Sequence, residues 1–190
     1  MGNAADVLRR ARRVLPGGVT ASARIVKYLD RPFFVSRGEG SRIYDLEDRP
    51  YIDMCTPFGA CLLGHRHPDL VAALREAAES GVLCGIEHPS QMLLAEKLSE
   101  IVPSAQMSRF TLTGTEATFY AVRLARAFTG KPKIVKFEGH FHGYNEPLQY
   151  NYWPPGAEAY PNLRVESGGT LEVLRDYVIV LPCNHPELLE

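Results

Sequence analysis

The sequence predicts an α/β fold built on a mostly parallel sheet. Two observations carry this. From residue 107 onward, strand-like and helix-like segments alternate, which is the pattern of strands joined by helical crossovers. Hydrophobic residues also make up 45% of the 190 positions, enough apolar surface for a core of that kind.

Helix signals open the chain over residues 6–15, and Pro16-Gly17-Gly18 ends them. The cluster Arg9-Arg10-Ala11-Arg12-Arg13 shares this segment with Val7, Leu8, Val14 and Leu15, so it reads as the solvated face of an amphipathic helix. A β-rich stretch follows: Phe33-Phe34-Val35, the turn Gly38-Glu39-Gly40, then two short runs around Tyr44 and Tyr51 joined through Glu47-Asp48-Arg49-Pro50 as a hairpin of imperfect alternation. His67-Pro68-Asp69 starts a helix that stops at Gly81, and His88-Pro89-Ser90 starts another with Met92, Leu93, Leu94, Leu98 and Ile101. Proline in the first turn suits both, because an N–H there has no partner inside the helix. Residues 107–112 are a strand candidate, 115–128 a helix stopped by Gly130, 134–137 a second strand and 176–181 a third. A long Tyr-, Pro- and Gly-rich loop over 139–169 separates the last two, and loops of that length are often functional. Residues 184–190 read as the first turn of another helix. The expected division is an N-terminal helix and hairpin segment over 1–66 and the first part of a larger domain over 67–190.

The formal net charge is −1, so nothing singles out nucleic acid or an anionic membrane as a partner. No apolar run approaches the ~20 residues that span a bilayer, and no leader pattern opens the chain. Cys55, Cys61, Cys84 and Cys183 lack C-x-x-C spacing and a basic neighbour in sequence. They read as buried packing thiols of a cytoplasmic protein. His65 with His67, and His140 with His142, are i,i+2 pairs that would share a strand face, but no carboxylate or cysteine completes a metal-ligand spacing. Tyr144, Tyr150, Tyr152, Trp153 and Tyr160 form an aromatic run, read as a channel lining or subunit contact rather than a nucleic-acid platform.

The segment richest in chemistry is Phe110-Thr111-Leu112-Thr113-Gly114-Thr115-Glu116-Ala117. A strand candidate ends, a glycine turn follows, and a helix begins. The first N–H groups of a helix have no intrahelical acceptor, and the helix dipole adds positive potential there, so a phosphate fits. Gly114 leaves room for close approach, and Thr113 and Thr115 add hydroxyls. The same residues also suit a plain helix cap with a tight turn, and Glu116 in the first turn needs only the dipole to explain it.

Four segments in series resemble the class III aminotransferases, and within them the glutamate-1-semialdehyde 2,1-aminomutases. Thr113-Gly114-Thr115-Glu116-Ala117 is similar to the family's Ser-Gly-Thr-Glu-Ala. Lys136-Phe137-Glu138-Gly139-His140-Phe141-His142-Gly143 is similar to its following strand and turn. Leu63-Gly64-His65-Arg66-His67-Pro68 resembles its Leu-Gly-His-x-His-Pro, and Leu15-Pro16-Gly17-Gly18-Val19 the opening of the aminomutases. The resemblance implies a fold-type-I transferase, incomplete in these 190 residues, with pyridoxal 5'-phosphate as cofactor. It implies that Thr113, Gly114 and Thr115 hold the cofactor phosphate, that Phe141 stacks on the pyridine ring where the family usually has Tyr, and that His142 shapes the pocket. It places Arg24 on the substrate carboxylate and Phe58 where the aminomutases have Trp. Ala21 stands at their serine.

The resemblance further implies an amine or keto-acid substrate, a small amino acid, β-amino acid or amino-aldehyde, and a homodimer with a partner-subunit Thr at the phosphate. The family's Schiff-base lysine and the Asp at its pyridine nitrogen are expected beyond residue 190. Lys27, Lys97, Lys131, Lys133 and Lys136 lack the right context, and Lys136 reads as a surface or strand-end residue. The chain alone is therefore expected to be inactive. An inactive remnant or a simple phosphate-ligand module are the alternatives.

Overall fold

A computed structural model describes residues 2–81, 85–153 and 162–188. Cys84 and Tyr160 lie outside the described residues. The chain divides into two compact units, Met1–Ile86 and Glu87–Glu190.

The first unit begins with helix α1 (Ala4–Val14), whose N-cap Asn3 accepts from the Asp6 N–H and whose last turn carries Arg12 and Arg13 at the carbonyl end. All four arginines of the basic cluster are exposed while Val7 and Leu8 are partly covered, as an amphipathic helix requires. Gly18 then passes beneath the helix at φ +76°, where an added Cβ would lie 3.1 Å from Leu8. Strands β1 (Ile25–Val26) and β2 (Arg31–Pro32) make a small antiparallel pair. Strands β3 (Val35–Glu39), β4 (Arg42–Asp45) and β5 (Pro50–Ile52) form an antiparallel meander. The hairpin itself, β4 with β5, pairs in unbroken register, Arg42 opposite Ile52 and Tyr44 opposite Pro50, while β3 carries a register shift between Val35 and Arg37. A short turn, α2 (Thr56–Gly59), leads to helix α3 (Pro68–Ser80), which stops at Gly81 with φ +78°.

Asp45 ties the β4–β5 turn. Its carboxylate accepts from the backbone N–H groups of Glu47 and Arg49, the Arg49 guanidinium and the Tyr51 hydroxyl, at 2.8–3.1 Å. Burial alone would raise this carboxyl; the hydrogen bonds more than reverse that and hold it at about 2.

In the second unit, helix α4 (Pro89–Ile101) has His88 as its cap, the ring accepting from the Ser90 N–H. Helix α5 (Gly114–Thr129) ends at Gly130 in the left-handed conformation, φ +67°. Strands β6 (Ile134–Phe137) and β7 (Val178–Leu181) pair in parallel, Ile134 opposite Val178 and Phe137 opposite Leu181. The parallel pairing is as expected, but among the described residues the connection carries only the 3-10 turns Glu146–Leu148 and Glu172–Tyr177 in place of a helical crossover. Fully buried Tyr150, with Val178 and Val180, forms the core, packed by Ile134, Leu163, Val165 and Leu174.

Three expectations are corrected. Residues 107–112 form no strand; among the described residues β6 and β7 pair only with each other, and an extended segment without a ladder partner is no strand. The tyrosine run is not one surface, because Tyr150 lies wholly inside while Tyr144 and Trp153 face outward. The described thiols are not buried packing groups, since Cys55 and Cys183 are exposed and Cys61 is half-covered. No helix among the described residues is long and apolar enough to cross a membrane, and no described group of His, Cys, Asp and Glu gathers as a metal site.

Because the Asp45 carboxyl is depressed in the folded chain, its stabilisation is present above the ordinary carboxylate range and is lost as pH falls through about 2. Asp45→Asn should therefore lower the Tm at pH 7, and the gap between variant and wild type should close as thermal melts are repeated toward pH 2.

Candidate functional site

The start of α5 is a capping box. The Thr113 hydroxyl accepts from the Glu116 N–H at 3.1 Å, and Glu116 Oε2 accepts in return from the N–H groups of Leu112 and Thr113 at 2.8 and 3.1 Å. That satisfies the Thr113 and Glu116 amides. The N–H groups of Gly114 and Thr115 have no acceptor among the described residues. An added Cβ on Gly114 would meet nothing within 4 Å, so a ligand can approach this backbone closely. The cap and the anion site thus coexist: Thr113 and Glu116 build the cap, and the cap aims the two remaining donors outward.

The second wall is the turn after β6. Gly143, at φ +81°, packs on the first turn of α5 so tightly that a Cβ there would lie 2.4 Å from Thr115 Oγ1 and 2.7 Å from Thr115 Cα. Three hydrogen bonds fasten the contact. The Tyr144 N–H donates to Thr115 Oγ1 at 3.1 Å, Thr118 Oγ1 to the His142 carbonyl at 2.8 Å, and Gln149 Nε2 to the Gly143 carbonyl at 2.9 Å. Phe141 is carried on this turn and is exposed, at 54% of the residue. The rings of Tyr144 and Tyr152 meet it edge-on, with centroids at 5.6 and 5.4 Å. His142 is half-buried, and burial first, then Lys136 and His140, push its imidazole down toward the neutral form.

Lys136 is not at a surface or strand end. It lies buried within β6, where Nζ donates to the carbonyls of Leu148, at 3.4 Å, and Tyr150. Burial lowers its ammonium to about 8 against the pull of Glu166 and Glu138. Beside it, fully buried Asn151 accepts from the Arg164 N–H at 2.8 Å and donates to Glu138 and to the Asn162 carbonyl. Its own carbonyl takes the Gly139 N–H at 2.7 Å. Lys136 and Asn151 together fold the loop back on β6 and fix where the turn bearing Phe141 leaves the strand.

The structure therefore brings Thr113, Gly114, Thr115, His142 and the turn carrying Phe141 into one place. Arg24 and Phe58 belong to the other compact unit. Arg24 is exposed, with its guanidinium donating to Thr20 Oγ1 at 2.8 Å, and Phe58 is exposed in the turn after Cys55. Sequence reading missed Thr118, Gln149 and Asn151. Thr118 had a signal, sitting one turn after Thr115 on the same helix face; the other two lie in an irregular loop that offers none.

The protein-family model described as Aminotransferase class-III matches residues 23–146. A glutamate-1-semialdehyde 2,1-aminomutase of Caldivirga maquilingensis is 40% identical over 188 residues, covering 99% of this chain and 43% of that protein. Among crystal structures, an omega-transaminase from Sphaerobacter thermophilus is 37% identical with a TM-score of 0.87, over 95% of this chain and 42% of that one. A structure described as a transaminase with PLP bound is 33% identical with a TM-score of 0.86, over 96% of this chain and 42% of that one. The chain thus spans less than half the length of the proteins it resembles.

Gly143→Ala is expected to force the turn away from α5. Left-handed strain alone costs about 1–3 kcal/mol, and the clash with Thr115 adds to it. The unfolding free energy from a urea melt should fall accordingly, whereas Gly114→Ala, with open space around it, should change it by less than about 1 kcal/mol.

Proposed function

The chain belongs to the class III aminotransferases, and from that premise we propose that it supplies the phosphate-binding portion of a pyridoxal-5'-phosphate-dependent aminotransferase or aminomutase. The substrate in this reading is a small amino acid, β-amino acid or amino-aldehyde. The observation that carries the proposal is the pair of acceptor-free N–H groups on Gly114 and Thr115, set beside the turn that presents Phe141.

The residues fit the cofactor. Gly114 and Thr115 would donate their N–H groups to the phosphate. The Thr113 oxygen is occupied as an acceptor from Glu116, which leaves its hydroxyl hydrogen free to donate as well. Phe141 offers the exposed aromatic face for the pyridine ring, and Phe in place of the family's Tyr keeps that face while losing only the phenol. His142, pushed toward its neutral form first by burial, would border the pocket beside Phe141. Bound there, the cofactor supplies the electron sink that lets a proton leave carbon next to the amino group. The chain's part is to hold and orient it.

Arg24 is assigned to the substrate carboxylate as a bidentate donor, with Phe58 beside it. The lysine that links the cofactor is assigned outside these residues, so the 190-residue chain alone is read as inactive. Lys136, the buried lysine nearest the site in sequence, is already engaged by two carbonyls. The complete enzyme is assigned as a cytoplasmic homodimer, the commonest symmetry for a soluble oligomer.

Gly114→Val in the full-length protein is the test. Nothing lies within 4 Å of the added Cβ, so the fold should survive. The branched side chain would stand where the phosphate must approach, and affinity for pyridoxal phosphate should drop at least about ten-fold, ~1.4 kcal/mol. Unchanged affinity in an equilibrium titration would remove Gly114 from the site.

A further inference from the structure

The first compact unit contains a second cluster of reactive groups. Cys61 Sγ lies 3.9 Å from His65 Nδ1, and His65 Nε2 lies 2.7 Å from Asp53 Oδ2. Cysteine, histidine and carboxylate stand in series, the order in which a base and its orienting acid activate a nucleophile.

The imidazole is held on every side. Asp53 Oδ1 is anchored by the backbone N–H groups of Cys55 and Thr56, both at 3.0 Å, so the carboxylate has one oxygen left for the ring. The His65 backbone is bridged to Gly40, N–H to carbonyl at 2.8 Å and carbonyl to N–H at 2.9 Å. The ring packs against Gly38, where a Cβ would come within 2.6 Å of His65 Cγ. Among the described residues, Asp53 and Cys61 are the titratable groups bonded to the ring, and Gly38 lies against it. The Asp53 side chain is 8% exposed and that of His65 22%, so this is a sheltered pair.

The tautomer follows from the partners. An ionised carboxylate only accepts, so Nε2 carries the hydrogen that faces Asp53, and the lone pair of the neutral ring sits on Nδ1, facing Cys61. The hydrogen bond from His65 holds the Asp53 carboxyl below its usual range, which keeps that charge in place when the ring gains a proton. Transfer of the thiol proton to Nδ1 leaves a thiolate beside an imidazolium that Asp53 neutralises.

We propose that Cys61 is a modification site, an activated thiol that His65 and Asp53 make reactive toward small hydroperoxides. The thiolate sulfur attacks the outer peroxide oxygen, the S–O bond forms and the O–O bond breaks. The departing oxygen, hydroxide from hydrogen peroxide or alkoxide from an organic hydroperoxide, takes the proton held on His65 Nδ1 and leaves as water or alcohol. Sulfur is oxidised to sulfenic acid and the peroxide is reduced, so electrons and protons balance without a further reactant. A small oxidant is specified because Cys61 is only half-exposed. The imidazolium also suits a peroxide, which needs a proton for its leaving group. The proposal stands apart from the phosphate site and does not rest on it.

The test compares thiols within one protein. The full-length protein is treated with substoichiometric hydrogen peroxide and dimedone, and the labelled cysteines are counted by peptide mass spectrometry. Exposed Cys55 and Cys183 are internal references. In the native protein, Cys61 should label at least about ten-fold faster than either reference despite its lower exposure. In guanidinium the three should converge to within about two-fold, because the advantage belongs to the folded arrangement. Native labelling of Cys61 no faster than that of Cys55 or Cys183 would overturn the proposal, and so would a lead that persists in guanidinium. His65→Gln should erase the lead while leaving the reference thiols unchanged, and a lead that survives that substitution would also overturn it.

Discussion

The candidate site depends on the contact between Gly143 and Thr115. No side chain other than hydrogen fits between that turn and the first turn of α5. The contact sets two walls at once: the helix start, with its two outward N–H groups, and the loop that carries Phe141 and His142. The hydrogen bonds from Tyr144, Thr118 and Gln149 hold the seam along its length. Behind it, Lys136 and Asn151 bind the loop to β6, and Tyr150 anchors it in the core. The described part of this loop is pinned because its buried polar groups Gln149 and Asn151 are matched, which a loop folded inward requires.

Much of this was legible in the sequence because local rules govern it. Pro68 and Pro89 sit in the first turns of their helices, Gly81 and Gly130 follow the ends, and Ile134–Phe137 is a β-branched run between turn signals. The capping pattern from Thr113 to Glu116 is also local, and both of its readings, cap and anion site, are met by different atoms of the same residues. What failed was non-local. Residues 107–112 have strand composition, but a strand needs a neighbour, and pairing is not written in the segment itself. Lys136 looked like a strand-end charge because its partners, the carbonyls of Leu148 and Tyr150, lie more than ten residues away. Cys61 looked unpartnered for a different reason. His65 is only four residues off, but its ring is turned toward the thiol by Gly38 and Asp53 from elsewhere in the chain.

The two units use charge in different ways. In the first, Asp45 and Asp53 are carboxylates pinned by backbone N–H groups, and each then presents an oxygen to a side chain, the Arg49 guanidinium in one case and the His65 imidazole in the other. In the second, the buried charge is the cation Lys136, satisfied by carbonyls. Burial without hydrogen bonds would neutralise any of these groups; the backbone partners are what let them persist as fixed features of the fold.

The central claim is that Gly114 and Thr115 receive the phosphate of pyridoxal phosphate. A crystal structure of the full-length protein with that cofactor tests it most directly. The account predicts phosphate oxygens within hydrogen-bond distance, about 2.7–3.2 Å, of both backbone nitrogens, with the Phe141 ring against the pyridine. A phosphate bound elsewhere, with the first turn of α5 facing solvent, would contradict it.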